Sequence, residues 1–162
     1  SINTASKEIS MKTCVDFYRR ASEIDYVEFI KQGHSCVSNV GRVGGRQVVS
    51  LKGKCSDHGM LVHQMLHVIG MWHEQSRHDR DQYVTINIDN VDPENRFNFK
   101  KRGRGSTVGK YDKTSIMHLD GYVFSSNQQP TIVDKTSGYA VVAQRTKLTD
   151  LDVAKINQLY QC

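Results

Sequence analysis

The 162 residues contain no apolar run long enough to cross a bilayer, so no membrane span is expected. No signal peptide stands at Ser1, and the chain reads as processed or trimmed. No two cysteines have C-x-x-C spacing, which argues against redox catalysis and thiolate metal sites. No cysteine lies at ligand spacing beside the histidines, so a structural zinc finger is a poor fit. There is no Asn-x-Ser/Thr sequon, no internal repeat and no low-complexity tract.

What remains is the composition of an ordinary soluble globular protein, 38% hydrophobic and 24% charged, of a size for one domain. Lys+Arg 22 against Asp+Glu 17 leaves a net charge of +5. The one dense basic run, Lys100-Lys101-Arg102-Gly103-Arg104, has no interleaved aromatics and reads as an exposed loop. Nucleic acid is therefore not expected as a partner. The four cysteines, Cys14, Cys36, Cys55 and Cys162, are even in number and widely spaced, which suggests two disulfides and an oxidising compartment. Spacing alone leaves three connectivities open.

Helical periodicity predicts a helix over 6–21, capped by Ser6. Alternation predicts a strand over 25–30, a turn at Gly33-His34-Ser35, an extended piece over 36–42 and a strand over 46–51. A loop over 53–56 leads into a helix over 58–69, capped by Asp57 or Ser56. Its apolar residues nearly encircle it, so it should be buried on most sides. Val84 to Ile88 reads as strand-like, 90–99 as irregular helical turns, 103–109 as flexible, and 111–142 as turn-rich. A last helix is expected over 149–160. Strands followed by a buried helix make an α+β domain.

Within that helix, His63 and His67 are four residues apart and share a face. Gly70 can take the left-handed conformation that stops a helix, and the chain can then bring His73 back over the first two. Three imidazoles with a fourth position open make the geometry of a catalytic zinc site. The stretch matches H-E-x-x-H-x-x-G-x-x-H at every fixed position but one, where Gln64 replaces glutamate. One zinc ion is the expected cofactor. A boundary between two lobes is expected near Gly70–His73, with a ligand cleft at the seam.

The chain resembles the astacin family of zinc endopeptidases, within the metzincins. The resemblance is carried by His63 to Glu74, by Gln75-Ser76-Arg77-His78-Asp79-Arg80-Asp81-Gln82-Tyr83-Val84-Thr85-Ile86-Asn87, by the methionine turn Ser115-Ile116-Met117-His118, and by Leu148 to Cys162. It implies a two-lobed zincin domain over 1–162. The first lobe, about 1–70, holds a small twisted sheet and the active-site helix. The second, about 71–162, is irregular and ends in a helix. It implies disulfides Cys14–Cys162 and Cys36–Cys55 and zinc ligands His63, His67 and His73. Gly70, Glu74 and Met117 take structural roles, with Met117 an apolar floor beneath the metal. It implies that Cys36, Val37, Ser38 and Asn39 start an edge strand, over 36–42, that pairs with an extended polypeptide. Secretion is implied as well.

Three departures qualify the resemblance. In the family, the residue at 64 is the glutamate that takes a proton from the attacking water and passes it to the leaving amine. An amide cannot hold that proton near neutral pH. The residue at 119 is usually a tyrosine that stabilises the oxyanion, and Leu119 cannot. Tyr122, three residues on, is a weak candidate to compensate. Active members also begin with an additional strand, and their N-terminus reaches toward the position of Glu74. The expected function is a zinc-binding, astacin-like domain of a secreted protein. Its peptide cleft is retained and its proteolysis lost or strongly weakened, a pseudoenzyme on a hydrolase scaffold. The alternative is an active secreted metalloendopeptidase in which Gln64 is an engineered inactivating change.

Overall fold

The computed structural model describes residues 1–32, 36–103 and 107–162. The turn expected at Gly33-His34-Ser35, Arg104 of the basic run, and residues 104–106 of the flexible stretch lie outside the described residues. The fold is α+β, as expected, and the chain divides into two compact units. One comprises 1–71 and 145–162, the other 72–144. The closing helix, which the family resemblance assigns to the second lobe, groups by its contacts with the first unit.

In the first unit, α1 (Ile2–Lys12) starts and ends earlier than periodicity suggests. Ser1 rather than Ser6 is the cap, accepting from the Thr4 amide, while Ser6 bonds back to Asn3 O inside the helix. The helix stops at Thr13, which is extended, and whose hydroxyl donates to Ile9 O. Ala5 and Ile9 are its buried residues, and it packs against α2 (His58–Val68). Strands β1 (Tyr26–Ile30) and β2 (Arg46–Ser50) run parallel, Tyr26 opposite Arg46 and Ile30 opposite Ser50. The extended piece over 36–42 forms no regular strand. It makes one antiparallel bridge, Val37 to Ser50, because a turn around Gly41, Gly44 and Gly45, all at positive φ, bends the chain away.

From Leu61 to His67 every residue of α2 is buried, as its all-round apolar pattern predicts. Neither expected cap acts: Asp57 occupies the cap position without a side-chain bond, and Ser56 Oγ donates to Gly53 O. The helix α3 (Asp150–Tyr160) is capped by Thr149, whose side chain takes the Asp152 amide while Asp152 takes the Thr149 amide. Cys14 is bonded to Cys162, and Cys36 to Cys55. The first bridge spans 148 residues, a closure worth about 5 kcal/mol on the chain-entropy account.

The second unit has a small core of Val84, Val91, Phe99, Tyr111, Leu119, Ile132 and Val141. The strand β3 (Val84–Ile86) pairs antiparallel with β4 (Ile132–Asp134), an element that the turn-rich reading of 111–142 passed over. Three residues carry too little alternation to announce a strand. Residues 93–99 form 3-10 turns started by Asp92 and Pro93, in line with the irregular helical turns expected there. Within the basic run, Lys101 pairs with Asp81, and Arg102 lies 3.8 Å over the Trp72 ring.

Candidate metal centre

The end of α2 sets the geometry. Gly70 has φ of +101°, the conformation that its place in the motif requires. Its amide donates to His67 O at 2.9 Å, and the Met71 amide reaches back to Leu66 O at 2.9 Å. Together these are the two bonds of a Schellman motif, which satisfies carbonyls that the helix itself leaves open. The turn has a second effect. It places Met71 O 2.8 Å from His67 Nδ1. A carbonyl oxygen only accepts, so Nδ1 carries the hydrogen and Nε2 keeps its lone pair. Burial holds the His67 pKa below the ordinary histidine range; the Met71 bond opposes this, and the charge of Arg145 adds to it. The imidazole is thus kept neutral, as a metal ligand must be.

Along this continuous stretch the structure brings together the three expected ligands. His63, His67 and His73 each offer a ligand atom, all within 4.8 Å of one another. His63 and His67 are buried, with ring centroids 4.7 Å apart and planes nearly perpendicular, while His73 is half-buried. Three imidazole nitrogen donors are a zinc-type set. Gln64, between the first two ligands in sequence, is 4% exposed. Among the described residues its Oε1 has no hydrogen-bond partner. A buried acceptor of this kind beside a three-histidine set fits a site that holds a metal with its water.

Gly41 was not singled out in the sequence. At φ +76°, it donates its amide to His67 O at 2.8 Å, and Gln47 Nε2 donates to its carbonyl at 3.0 Å. The carbonyl of a metal ligand thus anchors the loop that follows Cys36-Val37-Ser38-Asn39. Val37 of that segment is exposed, Cys36 is tied to Cys55, and Ser38 Oγ donates to Asn39 O. Nothing in the sequence marks a single glycine amide as the partner of a distant carbonyl.

In the second unit, Glu74 is buried beside Arg77, and its Oε1 accepts the Asp112 amide at 2.8 Å. The Glu74 amide donates to Met117 O at 3.1 Å. Leu119 donates its amide to Gln75 Oε1 at 3.3 Å and turns its side chain into the unit's core. His118 is fully buried, with Nδ1 donating to Leu119 O and Nε2 accepting from Tyr111 OH, each at 2.8 Å. Burial pushes the Tyr111 phenol pKa up, keeping it a donor. The methionine turn is therefore pinned to the residues just after His73. Tyr122 is exposed.

Comparison with known proteins agrees with this arrangement. Residues 1–161 match the family model described as Astacin, a peptidase family. The chain is 40% identical over 154 residues to zinc metalloproteinase nas-6 of Caenorhabditis elegans, covering 93% of this chain and 44% of that protein. It is 40% identical over 164 residues to the astacin-like metalloendopeptidase of Gallus gallus, covering 99% of this chain and 40% of that protein. The chain thus spans less than half the length of these curated relatives. Among solved structures, high choriolytic enzyme 1 of Oryzias latipes, a hatching enzyme zinc-protease, superposes with a TM-score of 0.93 at 35% identity, over 99% of this chain and 81% of that one. Myroilysin shares the fold alone, at a TM-score of 0.69 and 16% identity.

Proposed function

Since this chain belongs to the astacin family of peptidases, we propose that it is a zinc-holding, peptide-binding domain whose proteolysis is lost or strongly weakened. The observation that carries this reading is Gln64: an amide, buried and with Oε1 unpartnered among the described residues, at the position of the family's general base. A zinc ion held by His63, His67 and His73 supplies a Lewis acid that polarises a carbonyl and acidifies water. With a zinc ion and its water bound, Gln64 Oε1 would serve as a hydrogen-bond acceptor for that water. It cannot remove the proton, nor return one to a leaving amine.

Leu119 compounds the loss. Its side chain is apolar and packed among Val84, Phe99 and Tyr111 in the second unit's core, so it offers no hydrogen to an oxyanion. Removal of a general base typically costs about 10²–10⁴-fold. An oxyanion donor is worth about 10²–10³-fold. Both act on one transition state, so the losses need not multiply.

Binding does not depend on either group. Val37, bridged to Ser50 and exposed beside the Cys36–Cys55 disulfide, is not part of a formed strand but leaves an accessible backbone edge on which an extended polypeptide could pair. Met117 is fully buried, consistent with a packing role as an apolar floor. The two disulfides support secretion.

Elemental analysis, with digestion of a denatured protein by three forms, tests the reading. The parent should carry one zinc per chain and leave the substrate intact. Gln64→Glu should stay inert or weak, and Gln64→Glu/Leu119→Tyr should recover chelator-sensitive cleavage. Brisk cleavage by the parent overturns the proposal. Full activity in Gln64→Glu alone removes Leu119 from the account and favours the alternative, an active metalloendopeptidase in which Gln64 is an engineered inactivating change.

A further inference from the structure

The turn that aims His67 depends on one peptide unit. Ile69 C=O and Gly70 N–H belong to the same planar group. Rotation of that plane changes ψ of Ile69 and φ of Gly70 together, and Gly70, with no Cβ, resists rotation least of all residues. Two bonds hold the plane. On one side the Gly70 amide donates to His67 O. On the other, Tyr160 OH donates to Ile69 O at 2.8 Å, across 91 residues of sequence. The next carbonyl but one along, Met71 O, is the one that fixes the His67 ring through Nδ1.

We infer that Tyr160 is a positioning residue for the metal centre, its hydroxyl locking the Ile69–Gly70 peptide and so the orientation of the His67 imidazole. The inference rests on the zinc reading above.

The element that carries the hydroxyl is itself anchored at both ends. Thr149 and Asp152 cap the start of α3 reciprocally. At its end Gln161 is left-handed, the Cys162 amide donates to Asn157 O at 2.9 Å, and Cys162 is bonded to Cys14. Leu159 packs on the same turn, its Cδ2 3.8 Å from where a Cβ on Gly70 would stand. The Tyr160 ring is partly exposed, but burial raises the pKa of its hydroxyl, which points inward. One face of the glycine turn is therefore set by α2 and the other by α3. Partners around a ligating histidine tune metal affinity by fixing the ring before the metal arrives.

Zinc affinity, measured by competition against a chromophoric chelator, tests this with the whole chain. Tyr160→Phe removes one oxygen and keeps the ring. It should raise the zinc Kd about three- to tenfold, the effect of one neutral hydrogen bond, and shift the visible spectrum of the cobalt-loaded protein. Ile156→Val trims the fully buried face of the same helix without touching the hydroxyl. It should lower the Tm and leave zinc affinity at the parent value. An unchanged Kd and cobalt spectrum in Tyr160→Phe overturns the inference, as does an equal loss of affinity in Ile156→Val. Absence of zinc from the parent overturns the zinc reading, and this inference with it.

Discussion

On the reading proposed above, Gln64 offers an amide at the position where a carboxylate would act as general base. The shapes match, so the fold accepts the exchange; the proton chemistry does not. A second residue acts through what it lacks. A Cβ on Gly59 would sit 1.6 Å from Arg145 O and 2.2 Å from its carbonyl carbon. Backbone, not a movable side-chain tip, occupies that space. Gly59→Ala should therefore destabilise the protein by about 3 kcal/mol or more, above the usual cost of overpacking. Urea unfolding followed by circular dichroism checks this, and a midpoint within error of the parent would refute the close approach. Gly59 is one residue into the helix that carries His63 and His67, so it also fixes where that helix docks.

Among the elements, α1, α2 and the segment leading to α3 meet at one carboxylate. Glu8 accepts from His58 Nε2 at 2.6 Å and from the Leu148 amide at 3.0 Å, with Lys12 at 3.5 Å. Burial alone would raise its pKa. The Leu148 amide, His58 and Lys12 outweigh burial and hold it below the usual value of 4.5. A carboxylate whose folded pKa is depressed adds stability above its unfolded pKa. That stability is lost as pH falls through the folded value. Thermal unfolding from pH 7 down to pH 3 should show the loss beginning near pH 4.5, the unfolded value. Glu8→Gln should be less stable than the parent at pH 7 and should flatten this part of the profile. Parallel profiles for the two proteins would remove Glu8 from the account.

For the molecule as a whole, the long Cys14–Cys162 bridge and the bound metal of the proposed reading are constraints that act beside packing and the shorter Cys36–Cys55 bridge. Cys14→Ser/Cys162→Ser should lower the Tm by releasing the ends of a 148-residue separation. Chelation should lower it separately, because zinc bound only to the folded state stabilises by mass action. If scanning calorimetry shows no change on chelation, the ion makes no contribution to folding. Both effects should appear together in the double variant treated with chelator, with additive shifts if the bridge and the metal act independently.

Much of this architecture was legible before any coordinates. The histidine spacing, the stop at Gly70 and the encircling apolar pattern of α2 are local, and local sequence carries them through helix geometry. The caps expected at Ser6 and at Asp57 or Ser56 did not form, and the cap at Thr149 was not foreseen. Other features depended on contacts between residues far apart. Helix α1 ended at Lys12, where Thr13 turns extended, and the three-residue strand β4 exists only through β3. The placing of 145–162 with the first unit, the hold of Gly41 on His67 O and the reach of Tyr160 to Ile69 O were equally invisible. The sequence by itself determined which imidazoles could bind a metal and that an amide, Gln64, stands between the first two. Only the tertiary structure decided how those imidazoles are aimed, because a ring's orientation is set by single hydrogen bonds across the fold, which leave no periodicity in the chain.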